Sequence, residues 1–124
     1  MLRRLGIAVV ALALLGGAAF WVLTAPKPLA AADIPDRPGD PAKGEVLFWA
    51  GGCVSCHAAP GAKGDDKLVL SGGEAIVSPF GTFHPPNISP DKTHGIGNWS
   101  TLDFVNAMKR GLGPGGEHLY PSFP

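Results

Sequence analysis

The sequence predicts a small, mostly α-helical domain that follows a single transmembrane helix. An uncharged apolar run near the N-terminus predicts the transmembrane helix, and two later segments begin with helix-capping residues and end at glycine. Between those two segments the chain has neither helical nor strand periodicity. Gly and Pro contribute 18 and 13 of the 124 residues, and 16% of residues are charged, which argues against charge-driven disorder and also against a dense conventional core.

Ten basic and ten acidic side chains leave the chain with no formal net charge. A basic nucleic-acid-binding patch is therefore excluded as the leading function, and no nucleic-acid partner is expected. From residue 33 onward there are seven basic and ten acidic side chains. This small acidic excess favours docking to a basic partner protein.

Residues 5–26 form a run of 22 uncharged residues rich in Leu, Ala, Val and Gly. At a rise of about 1.5 Å per residue, this run is long enough to cross a hydrocarbon layer roughly 30 Å thick. Trp21 suits the far interface, and Arg3 and Arg4 place residues 1–4 in the cytoplasm. We therefore expect the rest of the chain on the opposite side, which in a bacterium is the periplasmic side of the inner membrane.

A cleaved secretory signal is the alternative to a retained anchor. Residues 30–32 are three alanines that could serve as a small-residue cleavage site. The apolar stretch is longer than the about 7–15 residues of a typical signal core, which favours a retained, single-pass anchor. Both alternatives deliver the residues beyond 33 to the same side of the membrane.

Residues 27–39 are rich in proline and lack apolar periodicity, so they predict an extended linker between the membrane and a domain that spans residues 40–124. Asp40 followed by Pro41 is typical of a helix start, with Asp as the N-cap and Pro at the first helical position. Gly51 ends this first helix.

Residues 58–90 contain clustered Gly and Pro and only short apolar pieces, which predict a loop wrapped around another group. A second helix begins at Ser100, because residues 100–103 form a capping-box variant with Asp103 in place of the usual Glu, and it ends at Gly111. One apolar face of this helix is expected to pack into the core, and it consists of Leu102, Val105 and Met108.

Residues 53–57, Cys-Val-Ser-Cys-His, form what we call the haem motif, and they use both cysteines of the chain. Two thiols at this spacing reach the two vinyl groups of one haem, and the histidine that follows can bind the iron from the same side. We therefore predict one haem c bound covalently to Cys53 and Cys56, with His57 as an axial iron ligand. A thioredoxin-like dithiol would need a βαβ setting and a zinc site would need further paired ligands, neither of which the sequence offers.

His57 needs a partner for its second ring nitrogen, because a metal-bound histidine is oriented by a hydrogen bond to a carbonyl or carboxylate. Pro79, within Ser-Pro-Phe-Gly, is a candidate source of that carbonyl. A plain turn residue is the alternative role for Pro79.

Given these residues, the chain resembles the membrane-associated cytochrome c family, with mono- and dihaem variants, that includes cytochrome subunits of bacterial alcohol and gluconate dehydrogenases. The resemblance covers residues 40–124 and rests on an ordered series of segments, residues 44–48, 52–57, 79–82, 87–91, 93–100 and 118–124. It implies a class I cytochrome c fold: a first helix, the haem motif, a wrapping loop, a helix near Trp99, a loop with a Met ligand and a C-terminal helix that crosses the first. The family's Met follows the last matching segment, so the resemblance implies a fold that is incomplete at the C-terminus and a fragment of a longer protein.

The sixth iron ligand is accordingly expected to be absent from this chain or supplied by another residue. His118 is a candidate because it lies in a Gly-rich loop, and Met108 is a second one, although core packing is the expected role of its side chain. His84 and His94 are expected to be exposed loop histidines. Trp99 is expected to bind the haem, with its indole N–H donating to a propionate. Other rings expected near the haem are Phe48, Phe80, Phe83 and Tyr120.

The expected function is electron transfer without catalysis. A periplasmic, membrane-anchored c-type cytochrome domain takes electrons from a dehydrogenase or another donor and passes them to a cytochrome or a terminal oxidase. The redox chemistry belongs to the cofactor, while the protein supplies burial, axial ligation and a docking surface. A haem enzyme or ligand-binding haem sensor with an open sixth site is the alternative, and a fragment unable to fold is a third hypothesis.

Overall fold

A computed structural model describes residues 1–122 of the chain. Within them, α-helix is the main regular structure, and one small antiparallel β-hairpin accompanies it. The helices are α1 (Leu2–Thr24), α2 (Pro41–Ala50), α3 (Cys53–His57) and α4 (Thr101–Arg110), the strands are β1 (Ile76–Ser78) and β2 (Gly81–Phe83), and short 3-10 turns occupy Ala31–Asp33 and Gly64–Val69. The prediction of a mostly helical fold is confirmed. Phe123 and Pro124, at the end of the resembling segment 118–124, lie outside the described residues.

α1 contains 23 residues, all of them exposed. Among residues 1–122 it is the one helix that is long and apolar enough to cross a membrane. Its length corresponds to about 35 Å at the helical rise, slightly more than a typical hydrocarbon core. An apolar surface exposed on all sides is what a helix surrounded by lipid requires.

The caps of α2 and α4 are those predicted from the sequence. Asp40 Oδ1 accepts a hydrogen bond from the main-chain N of Lys43 at 3.1 Å. Ser100 Oγ accepts one from the main-chain N of Asp103 at 3.1 Å, and Asp103 Oδ2 accepts one from the main-chain N of Ser100 at 2.8 Å, which completes the capping box. Gly111 ends α4 in the left-handed conformation, with φ 61°. Both helix predictions are confirmed.

The linker at residues 27–39 is less extended than predicted. A 3-10 turn occupies Ala31–Asp33, and its aspartate accepts a hydrogen bond from the main-chain N of Ala30 at 2.8 Å. Leu29, just before that turn, pairs with the side chain of Asn106 on α4. The linker therefore lies against the domain and is not a free tether, because α4 presents an amide that satisfies its main chain.

Residues 58–90 form loops that are interrupted by the Gly64–Val69 turn and the β-hairpin. The hairpin pairs Ile76 with Phe83, and Phe83 stacks on Tyr120 with ring centroids 4.4 Å apart. The prediction of a plain loop missed this hairpin, because strands of three residues are too short to show a period-2 pattern. The stack joins the hairpin to the segment that follows α4.

α4 buries a different face from the one predicted. Its buried residues are Asn106 and Ala107, whereas Leu102 and Val105 are half-buried and Met108 is 50% exposed. The predicted core position of Met108 is therefore wrong. The reason is tertiary, because the linker packs on α4 at the amide of Asn106, and helical periodicity cannot reveal which face a distant segment will cover.

The packed core of the described chain is small. Its buried hydrophobic side chains are Ala107 and Leu112. Several large apolar side chains of the domain are exposed by half or more, namely Val46, Leu47, Trp49, Val69, Phe80, Met108 and Tyr120. A domain of this size with so few buried side chains needs an additional stabilising group.

Candidate haem-binding site

A glycine turn separates α2 from the haem motif. Gly52 adopts the left-handed conformation, with φ 63°, and is the N-cap of α3. Ser55 donates to the carbonyl oxygen of Gly52 from its main-chain N at 2.9 Å and from Oγ at 2.6 Å. The turn allows α3 to start immediately after α2, so the whole haem motif forms one short helix, Cys53–His57.

Cys53 and Cys56 are three residues apart on α3, which places their side chains on the same face of the helix. Both residues are half-buried free thiols. Two thiols on one helical turn provide the arrangement that attachment to the two vinyl groups of a single haem requires.

His57 ends α3, and the loop opposite fixes its ring. Nδ1 donates a hydrogen bond to the main-chain carbonyl oxygen of Pro86, 2.8 Å away. A carbonyl oxygen can only accept, so the proton of the neutral ring lies on Nδ1 and the lone pair lies on Nε2. Nε2 is therefore the ring atom that can bind iron.

Of the two roles considered for Pro79, the structure has the turn residue and not the source of this carbonyl. Pro79 lies in the turn between β1 and β2, whereas Pro86 lies beyond β2, where the chain returns to α3. The pair Pro85-Pro86 was visible in the sequence as a stiff segment, because two successive prolines impose a rigid, extended main chain.

Gly72 holds the returning loop against the haem motif. Its main-chain N donates to the carbonyl oxygen of His57 at 2.7 Å, and Gly73 donates to the carbonyl oxygen of Pro85 at 2.9 Å. Gly72 is buried with φ 67°, and a side chain there would overlap the main-chain carbonyl oxygens of Pro85 and Pro86. Glycine is therefore required at this close approach. Sequence reasoning missed this position, although the Gly-Gly pair at residues 72–73 was a visible signal.

The residues around α3 fit a large, planar apolar group. Phe48 and Trp49 precede the haem motif and pack edge to face, with ring centroids 5.2 Å apart. Trp49 remains 51% exposed, because the domain has few buried apolar side chains that could pack against its ring. Cys53 and Cys56 offer two attachment points, and His57 offers an oriented iron ligand. This donor set and its apolar surroundings fit a covalently bound haem.

The other predicted site residues have different contacts. Trp99 is half-buried directly before the capping box of α4, and its main-chain N donates to the carbonyl oxygen of Ile96 at 2.9 Å. His118 Nε2 donates to the carbonyl oxygen of Thr24 at 2.9 Å, so iron binding through this nitrogen would break that bond. Met108 lies half-exposed on α4. Among the described residues, the haem motif is therefore in contact with the loop around Pro86, whereas the hydrogen bonds of Trp99 and His118 are made to other parts of the chain.

The remaining histidines and the hairpin ring are exposed. His84 Nδ1 donates to the carbonyl oxygen of Gly73 at 3.1 Å, and His94 Nδ1 lies 3.5 Å from Asp91 Oδ1. Phe80 is 88% exposed in the hairpin turn. The expectation that these two histidines are exposed loop residues is confirmed.

Three aspartates have lowered pKa values, and each of them caps a turn or a helix. Hydrogen bonds from Lys43 lower the pKa of Asp40, and those from Ser100 lower the pKa of Asp103. Main-chain N–H groups of the turn that follows Asp91 lower the pKa of that carboxyl group. These charges stabilise local structure around the site and are not part of the haem motif.

Known proteins similar to this chain include several cytochromes. The diheme cytochrome c-type protein of Cereibacter sphaeroides is 50% identical over 123 residues, which are 99% of this chain and 42% of that protein. The gluconate 2-dehydrogenase cytochrome c subunit of Pantoea cypripedii and the fructose dehydrogenase cytochrome subunit of Gluconobacter japonicus are each 42% identical over 82 residues, which are 66% of this chain and 18% and 16% of those proteins. No protein-family model matches the chain.

The chain thus spans about two fifths of the length of the first relative and less than a fifth of the length of the other two. All three relatives are cytochromes by name, which agrees with the haem chemistry of the site. The resemblance drawn from the sequence segments is confirmed. The chain is therefore similar to cytochrome c proteins, among them the cytochrome subunits of bacterial gluconate and fructose dehydrogenases.

Proposed function

We propose that the chain is a membrane-anchored electron-carrying domain of a bacterial inner membrane, with residues 5–26 as its anchor, residues 27–39 as its linker and a class I cytochrome c domain from residue 40 onward in the periplasm. One covalently attached haem c supplies one-electron redox chemistry when bound. The observation that carries the proposal is the hydrogen bond from His57 Nδ1 to Pro86, directly beside the two thiols of α3.

The residues of the site have separate roles. Cys53 and Cys56 hold the haem, because they face the same side of one helical turn. His57 binds the iron through Nε2, since the carbonyl of Pro86 keeps the proton on Nδ1 and holds the plane of the ring. The hydrogen bond to Pro86 holds the His57 ring in one orientation, so the ring would lose little further freedom on binding iron.

The domain is a carrier rather than a catalyst. Two of the named relatives are cytochrome subunits of dehydrogenases, so we assign substrate oxidation to a different subunit. Electrons enter the domain from a dehydrogenase or another donor and leave to a cytochrome or a terminal oxidase. The acidic excess beyond residue 33 favours partner proteins with basic docking faces.

Contacts of the last residue of α1 and of the linker support a retained anchor. Thr24 and Leu29 are hydrogen-bonded to His118 and Asn106 of the domain. Cleavage at residues 30–32 would remove both partners and leave the buried amide of Asn106 unpaired, which costs about 1–3 kcal/mol. The folded domain is therefore more stable with its N-terminal segment attached.

Production of the full chain together with the haem-attachment machinery tests the proposal. We expect haem that stays on the denatured polypeptide, a mass increase of one haem, a one-electron potentiometric titration and retention in membranes after a carbonate wash. A chain without covalent haem would contradict the assignment of the cofactor. A haem-bearing chain that is washed off the membrane and lacks about its first 30 residues would contradict the anchoring.

A further inference from the structure

Two hydrogen-bonded contacts join the chain that leaves α1 to the domain. Asn106 Oδ1 accepts from the main-chain N of Leu29 at 2.7 Å, and its Nδ2 donates to the carbonyl oxygen of Leu29 at 3.4 Å. His118 Nε2 donates to the carbonyl oxygen of Thr24 at 2.9 Å. One side-chain amide thus pairs with both main-chain groups of a single residue, as a neighbouring β-strand would.

Burial makes the Asn106 contact specific. Asn106 is 8% exposed, and Leu29 is half-buried against it. A buried amide requires partners for both its donor and its acceptor, and Leu29 supplies one of each. Detachment of the linker would therefore remove both hydrogen-bond partners of this amide, so the attached state is favoured.

The segment between the two contacts is stiff. Pro26 and Pro28 lie between Thr24 and Leu29, and each proline ring fixes the φ angle of its residue. Directly after Leu29, the main-chain N of Ala30 donates to Asp33 in the 3-10 turn. The path from the end of α1 to the domain surface therefore has few freely rotating bonds.

We propose that residues 24–33, which we call the strap, fix the orientation of the haem domain relative to the membrane, with Asn106 as the main positioning residue and His118 as the second. This inference rests on the proposed membrane anchoring. A free tether lets a domain rotate over all orientations above the bilayer, whereas a strap held at both ends keeps one face toward the membrane. The haem is thereby kept at a constant distance and angle for a membrane-embedded redox partner.

Hydrogen–deuterium exchange of the haem-loaded full chain in detergent micelles tests the strap directly. The main-chain N–H of Leu29 is expected to be protected in the wild type and to exchange at least about tenfold faster in Asn106→Ala. Asn98→Ala is the matched control, because the Asn98 amide also donates to a main-chain carbonyl, that of Lys92 at 2.7 Å, without touching the strap. An unprotected Leu29 in the wild type, or equal protection in Asn106→Ala, would overturn the proposal.

Angle-dependent electron paramagnetic resonance of oriented membrane multilayers measures the orientation itself. The wild type is expected to give a narrow distribution of haem angles, and Asn106→Ala a broad one. Leu29→Pro removes the donor from the strap without altering α4, so it gives the same broadening even if Asn106→Ala folds poorly. A broad distribution in a wild type that retains haem and membrane anchoring overturns the strap alone, whereas loss of haem or of membrane attachment overturns the proposed function.

Discussion

His57 and Pro86 are joined by a 2.8 Å hydrogen bond in which the ring donates from Nδ1 and the main-chain carbonyl oxygen accepts. The two residues are 29 positions apart, and Gly72 bridges them, because its main-chain N donates to the carbonyl oxygen of His57 and a side chain at Gly72 would overlap Pro86. Nε2 is thereby left as the atom available to iron. The proposed ligand function of His57 thus depends on a loop whose contact with the ring is a main-chain carbonyl oxygen.

Gly72→Ala is expected to disturb this ligand. The new methyl group would overlap the carbonyl oxygens of Pro85 and Pro86, and the alanine would also occupy a left-handed conformation. The hydrogen bond from His57 Nδ1 to the Pro86 carbonyl should lengthen, which makes the ring a weaker iron ligand. We therefore expect a lower iron–histidine stretching frequency in resonance Raman spectra of the ferrous protein. Gly61→Ala is the control, since Gly61 has a similar φ of 73° and open space around it. An equal shift of this frequency in both variants would show that backbone strain, and not the Pro86 contact, controls the ligand.

Removal of the two thiols is expected to abolish covalent haem attachment. The double variant Cys53→Ser with Cys56→Ser loses all haem from the denatured chain, whereas either single variant keeps one thioether bond and a shifted pyridine haemochrome band. Ser55→Ala lies between the two cysteines and loses the hydroxyl contacts to the carbonyl oxygen of Gly52 and to Cys56 Sγ, but it keeps both thiols, so it serves as the control and retains haem. Covalent haem in the double variant would mean that another group attaches it.

Loss of the α4 cap is expected to destabilise the domain modestly. Ser100→Ala removes the acceptor for the main-chain N of Asp103 and should lower the free energy of unfolding by about 1 kcal/mol. Thr101→Ala, one residue later and exposed, should change it by less than about 0.5 kcal/mol. Thermal unfolding of the haem-loaded chain measures both values. Equal effects of the two substitutions would show that the cap contributes nothing to the domain.

Acidification is expected to weaken the same cap. The pKa of Asp103 lies below its ordinary value of 3.8 in the folded state, because Ser100 donates to its ionised form. The stabilisation is therefore complete above about pH 3.8 and is lost as the pH falls through the lower, folded-state pKa. Asp103→Asn should flatten the dependence of Tm on pH in this range, whereas Ser100→Ala should only reduce that dependence, because the main-chain N of residue 100 still donates to Asp103. An unchanged pH dependence of Tm in Asp103→Asn would assign it to another carboxyl group.

Carbon monoxide distinguishes an open sixth site from a filled one. We expect the ferrous 124-residue chain to bind it, because His118 Nε2 is engaged by Thr24 and Met108 lies half-exposed on α4. The absorption spectra of His118→Ala and Met108→Leu should then match that of the wild type. If carbon monoxide leaves the wild-type spectrum unchanged but changes the spectrum of one of these variants, the residue substituted in that variant is the sixth ligand.

Features that depend on neighbours in the chain could be predicted from the sequence alone. The Asp40 and Ser100 caps, the glycine ends of both helices, the apolar length of α1 and the spacing of the haem motif are all local properties, and the structure has the predicted helices at those places. Capping and helical periodicity act within one or two turns, so they can be read without a fold.

Contacts between distant segments could not be predicted in this way. The partner of His57 is Pro86 rather than Pro79, α4 buries Asn106 rather than Met108, and the linker is tied to the domain. In each case a main-chain group is satisfied by a residue that lies far away in sequence. Main-chain donors and acceptors are the same at every position, so a local pattern such as Pro85-Pro86 indicates a stiff segment, whereas the partner of that segment depends on how the chain folds.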